Sequence, residues 1–184
     1  NVKTFGCKVN QYESIAISTA MRKAGFEEVT DDKAAEIIII NSCSVTGASD
    51  KKACHEIQRI KKLNPEAVVV LGGCFPQAFP KEAEKTGADI IIGNSGKKNV
   101  PLLIKKYLSD RAKKIEIPAL PSEYEGMELC RQGEKTRAFI KIEDGCNRFC
   151  SYCIIPYARG RVRSRSLEDI VAEVTSCVQA GQKE

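Results

Sequence analysis

Apolar positions along the first hundred residues fall into two alternating kinds of run. Residues 2–5 predict a short first strand. Ile17, Ala20, Met21 and Ala24 then recur at helical spacing, and Gly25 supplies a stop. The isoleucines at 37–40 are apolar on both faces, as a strand buried in a parallel sheet must be. A helix over 48–63 follows, with Ala53, Ile57 and Ile60 as its stripe and Pro65 as its end. Residues 67–71 and 89–92 repeat the strand pattern, and Val100, Leu103, Ile104, Tyr107 and Leu108 mark another helix. This β-α-β-α order predicts an α/β domain over residues 1–108, a doubly wound parallel sheet with helices on both faces.

The rhythm stops at 109–136, where Pro118, Pro121, Gly126 and Gly133 interrupt the chain and no apolar period survives. This stretch reads as a linker. Residues 138–142 predict one more strand, and a cysteine-rich loop follows it. Ser166 with Asp169 three places on resembles a capping box and opens a helix. Its apolar face is Leu167, Ile170, Val171, Val174 and Val178, and Gly181 ends it. Residues 137–184 thus hold a single βα unit. Such a unit cannot bury its own apolar face, so this second domain is expected to be incomplete and inactive alone.

Composition narrows the class. Of 184 residues, 42% are hydrophobic and 29% charged, which fits a globular protein and argues against disorder. No apolar run approaches the length of a membrane span. The opening residues lack the features of a secretory leader, although Asn1 leaves the true start open. The net charge is +5, and it is local. Between Arg131 and Arg165, nine basic residues face three acidic ones, which leaves 20 of the 29 basic and 21 of the 24 acidic residues elsewhere. An anionic partner, phosphate or carboxylate, is expected beside that segment. The nine cysteines are an odd count, and disulfides are rare in intracellular chains, so metal or redox chemistry leads.

Cys146, Cys150 and Cys153 lie within eight residues and can wrap one metal centre in a single loop. Thiolates select zinc or iron–sulfur. A structural zinc takes four ligands, usually as two separated pairs. Here a second pair is missing, and the one histidine, His55, is distant in sequence. Three cysteines on a four-iron cubane leave one iron open to substrate or cofactor. A zinc knuckle completed by Cys130 or Cys177 is the alternative. Cys7, Cys43 and Cys74 each follow a predicted strand, and in a parallel sheet those ends share one edge, so the three can converge. Their alternative is packing as small hydrophobes, which is also the preferred reading of Cys54, Cys130 and Cys177. The glycines of residues 93–98 are too closely spaced for a phosphate loop. Arg159, Arg161, Arg163 and Arg165 recur at every second position, so an extended segment would turn them all one way. There they could meet a cofactor carboxylate or RNA phosphates; a solvated basic loop is the bland alternative.

The run IKIEDGCNRFCSYCIIPYARG at 140–160, continued by RVRSR, resembles the cluster loop of the radical S-adenosylmethionine methylthiotransferases. FGCKVNQ around Cys7, NSCSVT around Cys43 and GGC ending at Cys74 are similar to the three cysteine motifs of that family's N-terminal domain. The resemblance implies a 4Fe–4S cluster on Cys146, Cys150 and Cys153 whose open iron chelates S-adenosylmethionine, with Tyr152 against the adenine. It implies a second 4Fe–4S cluster on Cys7, Cys43 and Cys74 that handles sulfur. It also implies that residues 137–184 begin a partial TIM-like barrel. Gly6, Gly72 and Gly73 suit a backbone that must pass close to a cluster.

The stretch TFGCKVNQYES at 4–14 most resembles the branch that acts on threonylcarbamoyladenosine beside the anticodon of tRNA. The implied activity is cytoplasmic methylthiolation of tRNA: reductive cleavage of S-adenosylmethionine gives a 5′-deoxyadenosyl radical that activates an inert C–H bond. An electron donor such as a flavodoxin or ferredoxin is implied, and no membrane. Isopentenyladenosine tRNA or a ribosomal protein are alternative substrates, as is another radical S-adenosylmethionine reaction. The non-enzymatic alternative is an iron–sulfur or zinc binding module.

Overall fold

A computed structural model describes residues 1–127 and 137–184. Five parallel strands form the central sheet in sequential order: β1 (Val2–Thr4), β2 (Ile37–Ser42), β3 (Val68–Gly73), β4 (Ile90–Ile92) and β5 (Lys114–Glu116). Helices α1 (Lys8–Lys23), α2 (Gly47–Leu63), α3 (Cys74–Ala78), α4 (Pro80–Glu84) and α5 (Val100–Asp110) connect them.

Alternation along the strands divides the core in two. Ile38, Ile40, Val69, Leu71 and Ile91 pack on one face against Ala53, Ile57 and Ile60 of α2, Phe75 of α3 and Ala83 of α4. Ile39, Val68, Val70, Ile90 and Ile92 pack on the other against Ile17 and Met21 of α1 and Val100, Leu103 and Ile104 of α5. Both faces are covered, as the apolar runs predict. With strands in sequential order, connections of one hand would place every helix on one face; covering both needs connections of both hands.

Two expectations need correction. Residues 114–116 lie in the stretch read as linker, yet β5 pairs with β4, matching Ile91 to Ile115. This edge strand is short and Ile115 is exposed, so it carries little apolar signal. Residues 138–142 form no strand. The next strands are β6 (Glu143–Asp144) and β7 (Arg163–Ser164), an antiparallel pair. The predicted segment finds other partners: Ala138 N–H donates to the Glu184 carbonyl at 2.7 Å, and Tyr124 Oη donates to the Lys141 carbonyl at 3.0 Å.

The remaining helices are α6 (Ile155–Arg159) and α7 (Leu167–Gln179). Ser166 Oγ accepts from Asp169 N–H at 3.2 Å, the expected cap. No residue of α7 is buried, and Leu167 is 69% exposed. Among the described residues, no helix is long and apolar enough to cross a membrane.

Candidate metal centres and the ionic joint between them

Cys43 and Cys74 follow β2 and β3 directly, and Cys7 caps α1 just after β1, so parallel strands bring all three to one edge of the sheet. Cys43 and Cys74 are buried and Cys7 is half-buried. Burial pushes the Cys43 thiol up from its ordinary pKa; the nearby Cys74 and Cys7 push the same way, against a hydrogen bond from Val45 N–H at 3.5 Å.

Glycine makes this crowding possible. A Cβ on Gly6, whose φ is +114°, would stand 2.1 Å from Cys43 Cβ. One on Gly73, with φ +103°, would stand 2.3 Å from the Ser42 carbonyl oxygen. The close approach expected of these glycines is therefore to the neighbouring strand ends.

Cys146, Cys150 and Cys153 occupy one loop between β6 and α6, with Cys150 exposed and the others half-buried. Cys146 N–H donates to the Gly160 carbonyl at 2.9 Å, Cys153 N–H to the Cys150 carbonyl at 2.9 Å, and Val162 N–H to Asn147 Oδ1 at 3.1 Å. Tyr152 is 89% exposed. Phe149 meets Tyr157 edge-to-face, and the Arg161 guanidinium lies 5.2 Å above the Phe149 ring.

Among the described residues, no three His, Cys, Asp or Glu side chains are gathered to hold a single metal ion. A cluster of several irons holds its thiolates farther apart than one ion does. Each set offers soft thiols alone, and the chain's one histidine, His55, is exposed on α2. On that donor chemistry, the residues fit iron–sulfur clusters. Cys130 lies outside the described residues. Cys54 and Cys177 are half-buried, and burial raises both thiols.

The four arginines do not share one face. Arg159 and Arg163 are buried, at 6% and 8% exposure, while Arg161 is exposed. Arg165 pairs with Glu173 and donates to the Asp169 carbonyl at 3.0 Å. The expected extended segment is interrupted, because Arg159 ends α6 and Gly160 turns the chain at φ +80°.

Arg159 reaches a group that the sequence did not single out. Glu13 of α1 is 2% exposed and meets three cations. Lys97 bonds its Oε2, while Lys141 Nζ and Arg159 Nη1 bond its Oε1 at 2.9 and 2.8 Å. Arg159 Nη1 also pairs with Asp144 at 3.1 Å, Lys141 with Asp144 at 2.7 Å, and Arg163 with Asp144 at 3.6 Å. Burial alone would push the Glu13 carboxyl up, but Lys97, Arg159 and Lys141 hold it well below the usual carboxylate range. Glu13 and Lys97 come from the sheet domain, and the other charges from residues 141–163.

A legible signal existed. Asn10 and Glu13 continue the Ile17–Met21 stripe toward the start of α1, and polar residues on a core stripe need partners. Lys97 lies in the discarded glycine segment, and nothing in its spacing marks it for burial.

Several proteins are similar to this chain. The threonylcarbamoyladenosine tRNA methylthiotransferase of Aquifex aeolicus is 36% identical over 185 residues, covering 99% of this chain and 45% of that protein. Its Thermotoga maritima counterpart is 39% identical over 184 residues, covering 100% and 42%. The tRNA-2-methylthio-N(6)-dimethylallyladenosine synthase of Buchnera aphidicola is 35% identical over 191 residues, covering 100% and 42%. The chain thus spans less than half the length of these relatives. The sequence profile described as uncharacterized protein family UPF0004 matches residues 1–93, half of the 184, and the chain belongs to that family.

Proposed function

We propose that this chain is the cluster-bearing N-terminal portion of a tRNA methylthiotransferase that works by radical chemistry on S-adenosylmethionine. The observation that carries this reading is the pairing of two cysteine sets. Cys7, Cys43 and Cys74 lie along one sheet edge, and α6, which directly follows the Cys146–Cys153 loop, is tied to that edge: Asn94 Nδ2 donates to the Ala158 carbonyl at 2.6 Å and to Cys74 Sγ at 3.4 Å. Two separate thiol sets, the second carried by a segment docked on the edge that bears the first, suit a reaction that needs both an electron and a sulfur donor.

In this reading, Cys7, Cys43 and Cys74 hold one 4Fe–4S cluster and Cys146, Cys150 and Cys153 the other. When bound, the clusters supply the sulfur and the electron that cleaves S-adenosylmethionine. The exposed Tyr152 ring stacks on the cofactor's adenine, and Arg161 remains open to an anion, a cofactor carboxylate or an RNA phosphate. Inserting sulfur at a C–H bond asks no general base of the protein.

The substrate proposed is threonylcarbamoyladenosine beside the anticodon, after the Thr4–Ser14 resemblance and the Aquifex and Thermotoga relatives. Dimethylallyladenosine tRNA is the second reading, favoured by the similar identity to the Buchnera synthase. A flavodoxin or ferredoxin would supply electrons in the cytoplasm. An anaerobic assay of a relative-length protein with each tRNA, followed by nucleoside mass spectrometry, tests this. A methylthio group on threonylcarbamoyladenosine is expected; deoxyadenosine formed without any methylthio nucleoside would refute the transfer.

A further inference from the structure

The ionic joint holds more positive than negative charge. Four cations, Lys97, Lys141, Arg159 and Arg163, share the two carboxylates Glu13 and Asp144 in a place largely closed to water; with Glu125, which lines the same pocket, the cations still exceed the carboxylates by one. Uncompensated buried charge is costly, so an anion is wanted within reach.

The hydrogen bonds point to where that anion belongs. Arg159 Nη2 donates to Asn10 Oδ1 at 2.9 Å, the same atom that accepts from Cys7 Sγ at 3.5 Å. The Asn10 amide donates in turn to the Ser42 carbonyl at 2.8 Å, one residue before Cys43. The carbonyl of Ala158, next to Arg159, accepts from the Asn94 amide that contacts Cys74 Sγ. Lys97 joins this network through the Glu13 carboxylate that it shares with Arg159. One arginine from residues 137–184 is thereby linked to the surroundings of all three cysteines of the sheet domain.

We propose that Lys97 and Arg159 are the cationic counterpart of an anionic, thiolate-held group at Cys7, Cys43 and Cys74. Arg159 is delivered by the segment that follows the second cysteine loop, so the first site is electrostatically complete only when the two parts are docked. Glu13 is the positioning residue: it holds both cations in place and keeps them from repelling each other apart. The proposal rests on the cluster reading of the first site.

The test isolates that site. The chain with Cys146, Cys150 and Cys153 changed to Ala is reconstituted anaerobically with ferrous iron and sulfide, and its reduction potential is titrated with spectroscopic readout. Adding an electron makes the group more negative, so nearby cations favour the reduced form. Arg159→Met should lower the potential by a tenfold change in the reduction equilibrium, about 59 mV for one electron. Lys97→Met should move it the same way, and Arg159→Lys should restore most of the parent value.

Potentials of both Met variants equal to the parent would overturn the proposal. So would an Arg159→Lys chain that matches Arg159→Met, since packing and not charge would then be responsible. If Arg159→Met does not fold, Lys97→Met decides. If the parent takes up no iron, the cluster reading falls and this inference with it; iron uptake with unmoved potentials sinks this inference alone.

Discussion

Glu13 shows what a single buried charge does in this molecule. With three cations around it, its removal leaves unpaired charge behind. Glu13→Gln should cost about 3–5 kcal/mol in denaturant unfolding at neutral pH. The pH dependence has a definite sign. Because the folded carboxyl sits below its unfolded value of about 4.3, its stabilisation is fully present above that pH. It is lost only as pH falls through the lower folded value, so the gap between parent and variant should close in strong acid. A gap that stays constant down to the acid transition would contradict the ion pairing. Gly6 carries a different constraint. Gly6→Ala would pair a positive φ with a Cβ on top of Cys43, costing more than the roughly 1–3 kcal/mol of backbone strain alone. Thermal melting should show the loss, and iron uptake at the first site should fall with it; unchanged uptake would separate Cys43's placement from that site.

At the scale of elements, α7 and the joint behave oppositely. The valines of α7 face outward, and its ties to the sheet domain include Glu173, whose carboxylate accepts from Tyr12 Oη at 3.2 Å. Its amides should exchange hydrogen much faster than those of β3, buried throughout, and of β2, buried except at Ile37. Ser166→Ala should accelerate exchange in the first turn further, for a loss of about 1 kcal/mol. The segment from β6 to β7 is held by the Glu13 and Asp144 pairs and should exchange more slowly than α7. Glu13→Gln should erase that difference. Equal rates in the parent would mean the joint does not restrain the segment.

For the whole molecule, the proposed pair of sites can be separated by iron content. Reconstitution should give about eight irons per chain, two cubanes, and changing Cys146, Cys150 and Cys153 to Ala should leave about four. Stoichiometric zinc without iron uptake would end the two-cluster reading. In a relative-length protein, changing Cys7, Cys43 or Cys74 should abolish methylthiolation while deoxyadenosine formation persists. Loss of both with Cys43→Ala would show that the two sites do not divide the work.

The sequence determined much of this arrangement, because period and register are local properties. Runs such as Ile37–Ile40 are apolar on both faces and, alternating with helical stripes, suit buried parallel strands. Strand ends in a parallel sheet share an edge, so the sequence could place Cys7, Cys43 and Cys74 along that edge once the strands were recognised. The Ser166 cap was likewise readable, since its hydrogen bond spans three residues. Only tertiary structure decided the rest. β5 draws its support from pairing with β4 and carries no apolar run of its own. The arginines from 159 to 165 were scattered by α6 and Gly160 instead of sharing a face. Lys97 and Lys141 carried no signal along the chain, and Arg159, read as a contact for a cofactor or RNA, was instead closed around Glu13 by folding. Burial and ion pairing belong to partners distant in sequence, and no spacing along the chain encodes which distant charges will meet.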